Sequence, residues 1–148
     1  MSKHSIPEGF VRCRFEVPVP FSDNLEVYHR VHDDGVTIGA WVLEDYRNGG
    51  PMAHGGFLMT LGDMATGHAV NQVKGTKRFT VHISFNMNFY SVIPVGAWVE
   101  VNARVTKEGR ELVFANCDYV VAGKVVGHAD AVMKSAEIRS GKQPARDA

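Results

Sequence analysis

The sequence is short of several things, and each shortage excludes something. Only two of its 148 residues are cysteines, Cys13 and Cys117, and they form no Cys-x-x-Cys pair. A disulfide framework is therefore not expected, and two reduced thiols are the simplest reading. Net charge is absent, since sixteen Lys and Arg offset sixteen Asp and Glu. A chain with no global field is not drawn onto nucleic acid or an anionic bilayer, and its copies repel one another little. There is no run of about 18 apolar residues, so no membrane span is expected. The opening residues, Met1 to Gly9, lack an apolar stretch, which argues against a secretory signal and for a cytoplasmic chain. The Gly-x-Ser-x-Gly, Gly-x-x-x-x-Gly-Lys, Gly-x-Gly-x-x-Gly and His-Glu-x-x-His motifs are all missing, and no cofactor is expected. Seven histidines invite a metal, and His29, His32, Asp33 and Asp34 form the tightest cluster. Residues three apart on a strand face opposite ways, so no metal site is expected there.

What is present is ordinary in amount and clear in pattern. Hydrophobic residues make up 45% and charged residues 22%, as in a typical globular protein, and the length suits one domain. Residues 1–9 and 140–148 read as polar tails. Leu25–Val31 and Val36–Leu43 are rich in strand formers. Between them His32-Asp33-Asp34-Gly35 reads as a hairpin turn, with glycine at a positive-φ position. From about His54 to Gln72, Phe57, Leu58, Leu61, Ala65 and Ala69 recur at helical spacing, and Lys74-Gly75 closes the segment. Then a period of two takes over. Val81, Ile83, Phe85, Met87 and Phe89 alternate with Thr80, His82, Ser84, Asn86 and Asn88. Val99, Val101, Ala103 and Val105 alternate with Glu100, Asn102 and Arg104. Leu112–Val121 and Lys124–Lys134 follow, across turns at Lys107–Arg110 and Ala122-Gly123. The expected architecture is two strands, one long helix and a four-stranded antiparallel meander. This is an α+β fold in which the sheet wraps the helix.

The stretch from Asn48 to Gly67 holds the candidate chemistry. His54-Gly55-Gly56 falls where the helix begins. There the first N–H groups have no partner within the helix and lie at the positive end of its dipole. Glycines let a substrate approach that backbone, which suits an oxyanion hole; a glycine-rich cap that merely turns the loop is the alternative. Asp63 lies in mid-helix among Leu61, Met64 and Ala65. A carboxylate on a helix enclosed by a sheet needs a partner or a task, unless it faces solvent. Gly56 and Asp63 share a face but sit ~10 Å apart along the axis, so one helix cannot bring both to one reacting carbon. A twofold dimer, with the glycine end of one helix facing Asp63 of the other, would supply two equal sites.

Asn48, His54-Gly55-Gly56, Asp63 nine residues after the histidine, and the strands that follow together resemble the hotdog-fold acyl-CoA thioesterases of the PaaI-like group. The resemblance covers about residues 25–136. It implies a hotdog domain there, a partly ordered N-terminal extension over 1–24, and a tail over 137–148. It further implies homodimers joined sheet edge to sheet edge, in some members paired again into dimers of dimers, and an acyl-CoA substrate. By position, Asp63 matches the residue that activates water or attacks the thioester. Gly55 and Gly56 match the oxyanion-hole backbone, Asn48 a polar residue that positions the carbonyl or water, and His54 the loop histidine beside it. Relatives often carry Ser or Thr in the strand after the helix. Here His82 falls at that place with Thr80 two residues earlier, as substrate-side groups or simply as outward residues of a strand. Phe57, Met59, Phe89 and Tyr90 are candidate acyl contacts. Lys107 and Arg110, or Lys74, Lys77 and Arg78, are candidate cations for the CoA phosphates. The expected activity is thioester hydrolysis. The alternatives are a hydratase or dehydratase of the same fold, whose loop tends to read His-Phe-Pro-Gly, and a non-catalytic acyl-CoA-binding module.

Overall fold

The computed structural model describes residues 4–14, 18–74 and 78–137. Its strands are β1 (Val11–Arg12), β2 (Val27–His32), β3 (Gly35–Trp41), β4 (Arg78–Phe89), β5 (Trp98–Glu108), β6 (Leu112–Val121) and β7 (Lys124–Glu137). A one-turn helix α1 (Pro20–Asp23) and a 3-10 turn (Glu44–Tyr46) precede the long helix α2 (Gly55–Lys74). The described strands form one antiparallel sheet in the order β1-β2-β3-β5-β6-β7-β4. α2 lies across one face. It buries Leu58, Leu61, Ala65 and Ala69 against Ile38, Ala40, Val99, Val101 and Tyr119. The expected α+β architecture is therefore present, and the helical spacing marks the buried stripe of α2.

Three details differ from the expectation. The meander has three strands, β5-β6-β7; β4 adds beyond β7, and β5 pairs with β3. The link between β4 and β5 is long enough to return across the sheet, and the alternation of a strand does not encode its neighbour. Gly35 does not have a positive φ; a side chain there would run into the carbonyl of Ala103 on β5. Its need is close approach, and the turn itself is Asp33-Asp34, between the paired ends His32 and Gly35. By contrast, Ala122-Gly123 turns with φ values of 49° and 78°, the left-handed pair that suits a two-residue hairpin.

The third difference bears on function. β4 pairs with β7 in a register that slips between His82 and Ser84, so that Ile83 is an extra, bulged residue. A bulge of one residue reverses the alternation on either side of it. Phe85, Met87 and Phe89 oppose Ala131, Ala129 and Gly127, while Thr80 and His82 oppose Ser135 and Met133. Residues directly opposite share a face, and these β7 residues are the buried, helix-facing ones. Thr80 and His82 thus face the helix, and Val81 and Ile83 are exposed, the reverse of unbroken alternation.

Candidate active site

Gly62 sets how closely α2 approaches the sheet. A β-carbon there would collide with the Tyr119 hydroxyl and lie 2.5 Å from the Phe85 ring. The Tyr119 hydroxyl donates to the Leu58 carbonyl at 2.9 Å, and burial raises its pKa. With the helix held that close, the residues just past Gly62 reach β4. The Asp63 Oδ1 lies 2.8 Å from His82 Nδ1, and His82 Nε2 lies 2.9 Å from Thr66 Oγ1. The Thr66 hydroxyl is buried and also bonds the Gly62 carbonyl at 2.8 Å. The Phe85 and His82 rings lie 5.8 Å apart, centroid to centroid, in a T-shaped arrangement. The Asp63 side chain is 61% exposed and that of His82 17%. The carboxylate is therefore not buried within the chain; it is tethered by one imidazole and open on its other side. Thr66 has no motif around it and was missed in the sequence; its spacing of three from Asp63, on one helix face, was the available signal.

The loop before α2 is anchored backbone to backbone. The His54 N–H donates to the Tyr46 carbonyl at 2.8 Å and the Ala53 N–H to the Ile93 carbonyl at 2.8 Å. Tyr46 stacks on Phe57 with centroids 4.4 Å apart. Phe57 is a buried core residue. The Gly56 N–H donates to His54 Nδ1 at 2.9 Å. The ring nitrogen is a helix cap, and the donor expected to hold an oxyanion is occupied by it. Gly55 is half-buried beside the exposed ring of Phe89, whose Cζ would lie 3.4 Å from a β-carbon at Gly55. Phe89, Tyr90, Val92 and Met59 are all exposed apolar residues.

Other candidates lie apart. The Asn48 Oδ1 accepts the Gly50 N–H at 2.7 Å, a local turn within the loop. Thr80 faces α2 beside Gly67, one turn beyond Asp63. Lys107 and Arg110 are exposed at the β5–β6 hairpin. The transverse row from His82 runs through Met133 and Val113 to Glu108, which puts that hairpin three strands away. Lys77 lies outside the described residues, as do the side chains of Lys74 and Arg78. Among the described residues no three His, Cys, Asp or Glu groups converge as metal ligands.

Comparison with known proteins identifies the family. Residues 50–126 match the family model of the thioesterase superfamily. A Pseudomonas aeruginosa protein whose name marks it as a candidate esterase is 34% identical over 133 residues, covering 86% of this chain and 96% of that protein. Among solved structures, a mutant of the phenylacetic acid degradation protein PaaI from Thermus thermophilus superposes with a TM-score of 0.70 at 25% identity. It covers 78% of this chain and 97% of its own. Zebra fish thioesterase superfamily member 2 gives 0.66 at 27% identity, covering 74% of this chain and 80% of that one. The long helix wrapped by an antiparallel sheet is thus a hotdog fold, and the chain belongs to the thioesterase superfamily.

Proposed function

We propose that this protein hydrolyses an acyl-CoA thioester to a carboxylic acid and free CoA. The observation that carries this reading is Asp63: an exposed carboxylate, oriented by His82, on the helix whose first turn presents the glycine backbone. Asp63 either draws a proton from water as the water oxygen adds to the thioester carbon, or attacks that carbon itself. In the first route the C–S bond of the adduct breaks, and the sulfur leaves with the electron pair and takes the proton that Asp63 had accepted. In the second the thiolate leaves as the acyl–Asp63 anhydride forms, and a water then cleaves that anhydride, giving the carboxylic acid, restoring the Asp63 carboxylate and supplying the proton of the thiol. The developing oxyanion is held by the Gly55 N–H at the positive end of α2, since the Gly56 N–H is spent on His54.

The two halves of the site are ~10 Å apart along one helix, so the reading requires a homodimer in which α2 of each protomer supplies one half. Edge strand β4 supports this, with Phe79, Val81 and Ile83 exposed along it. Phe89, Tyr90 and Met59 would meet an apolar acyl group, and Asn48 a carbonyl or water. Lys107 and Arg110 would hold CoA phosphates; reversing both charges should raise KM for acyl-CoA, and an unchanged KM would remove them from the site.

The test is thiol release from acetyl-, hexanoyl-, dodecanoyl- and phenylacetyl-CoA. Turnover is expected on at least one of them. Asp63→Asn keeps the size and the polar contacts but removes the base, and should lower kcat by ~10²–10⁴-fold with unchanged thermal unfolding. Near-normal turnover in that variant would sink the assignment.

A further inference from the structure

His82 has both ring nitrogens engaged by the helix opposite, Nδ1 by Asp63 at 2.8 Å and Nε2 by Thr66 at 2.9 Å. A carboxylate only accepts, so the Nδ1 side must carry a hydrogen. Nε2 then has two satisfactory states. In the neutral ring the Thr66 hydroxyl donates to Nε2. In the imidazolium Nε2–H donates to Thr66 Oγ1, and the hydroxyl hydrogen turns to the Gly62 carbonyl, 2.8 Å away. One hydroxyl rotation serves both states, and the bond from Nδ1–H to Asp63 survives in each. Both ring nitrogens are thus engaged within the chain, and the Phe85 ring packs against the imidazole in a T-shaped arrangement.

We infer that His82 is a positioning residue for Asp63, and that Thr66 holds its ring in place. The inference rests on the hydrolytic reading for the role of Asp63, but the pairing itself does not. Asp63 is 61% exposed; an exposed carboxylate on a helix samples several rotamers, and one held by a fixed N–H does not. Misplacing a reacting group by about 1 Å costs ~10²-fold in rate, which is the scale expected here.

Two readouts separate the pairing from the chemistry. In 15N-histidine-labelled protein, the His82 signals of the neutral ring should show the Nδ1–H tautomer, and Asp63→Ala should abolish that signature. An Nε2–H tautomer in the unmodified protein would overturn the inference. With hexanoyl-CoA as probe, or whichever acyl-CoA of the panel turns over, His82→Ala should lower kcat ~10²-fold while KM holds. His82→Asn, whose amide can donate to Asp63 from nearly the same place, should recover at least ~10-fold of that loss. Thr66→Val should fall between the unmodified protein and His82→Ala. Full kcat in His82→Ala, in a protein that Asp63→Asn inactivates, would overturn the positioning role. Absence of thiol release on every acyl-CoA would overturn the hydrolytic reading, and the tautomer would still decide the pairing.

Discussion

At the scale of single residues, Gly62 and Tyr119 form a matched pair. Gly62→Ala should destabilise by about 1–3 kcal/mol, the usual cost of overpacking, because the new methyl meets Tyr119 and Phe85. Tyr119→Phe removes a buried donor from the Leu58 carbonyl and should cost about 1 kcal/mol. In the double variant the two losses should sum to less than their separate values, since the hydroxyl that clashes is gone. Strict additivity in chemical denaturation would refute the contact. On the opposite face of the sheet, His128 Nδ1 lies 2.7 Å from Asp118. The hydrogen bond to Asp118 raises the His128 pKa, outweighing the effect of burial, and the charge of Asp130 helps. Stability from that pair is complete below the ordinary imidazole value of ~6.5 and is lost as pH rises through the raised one. Asp118→Asn should therefore cost stability at pH 6 and little at pH 9, by less than about 1 kcal/mol as for other partly exposed pairs. His68 runs the other way: burial lowers its pKa, so its neutral form favours the fold, and that contribution fades as pH falls through ~6.5. Denaturant midpoints at the two pH values, each compared between variant and parent, isolate the His128 contribution. The glycines and Asp63 were legible in the sequence as a spacing. That His54 takes the Gly56 N–H was not, because a ring rotamer decides it.

At the scale of elements, α2 and the β5–β6–β7 meander could be read from their periods, since each has one face that must be buried. The place of β4 could not. Its pairing with β7 is non-local, and only the slip at Ile83 tells which of its residues face the helix. β4 also ends the described sheet, and an exposed apolar edge strand is a template for pairing with another chain. Ile83 is 60% exposed, so Ile83→Lys should leave the fold and melting temperature nearly unchanged. It should halve the mass seen by light scattering at micromolar concentration and abolish thiol release. A variant that stays dimeric would move the interface elsewhere.

At the scale of the whole molecule, the N-terminal segment is part of the sheet. β1 pairs with β2, His4 stacks on Trp41 and Phe10 packs edge-on against Trp98, with the Arg30 guanidinium 4.4 Å over the Phe10 ring. Gly39 leaves room for this, since a side chain there would strike Trp98 and Phe10. Its polar, proline-containing sequence gave no period from which that docking could be read. Phe10→Ala should shift tryptophan emission to longer wavelength and cost about 1 kcal/mol, the scale of an aromatic pair with its cation; unaltered emission would show that the segment does not cover the indoles. Across the molecule, the bulge splits one run of alternate apolar residues between two destinations. Phe85 and Met87 belong to the core under α2, while Phe79, Val81 and Ile83 lie on the exposed edge. A scan of one-codon deletions along β4 should therefore be permissive at the bulge. Losing Ile83, or its exposed neighbour Ser84, straightens the strand and leaves every other side chain on the face it already occupies. Losing Met87 instead turns part of the strand over and exchanges core for surface.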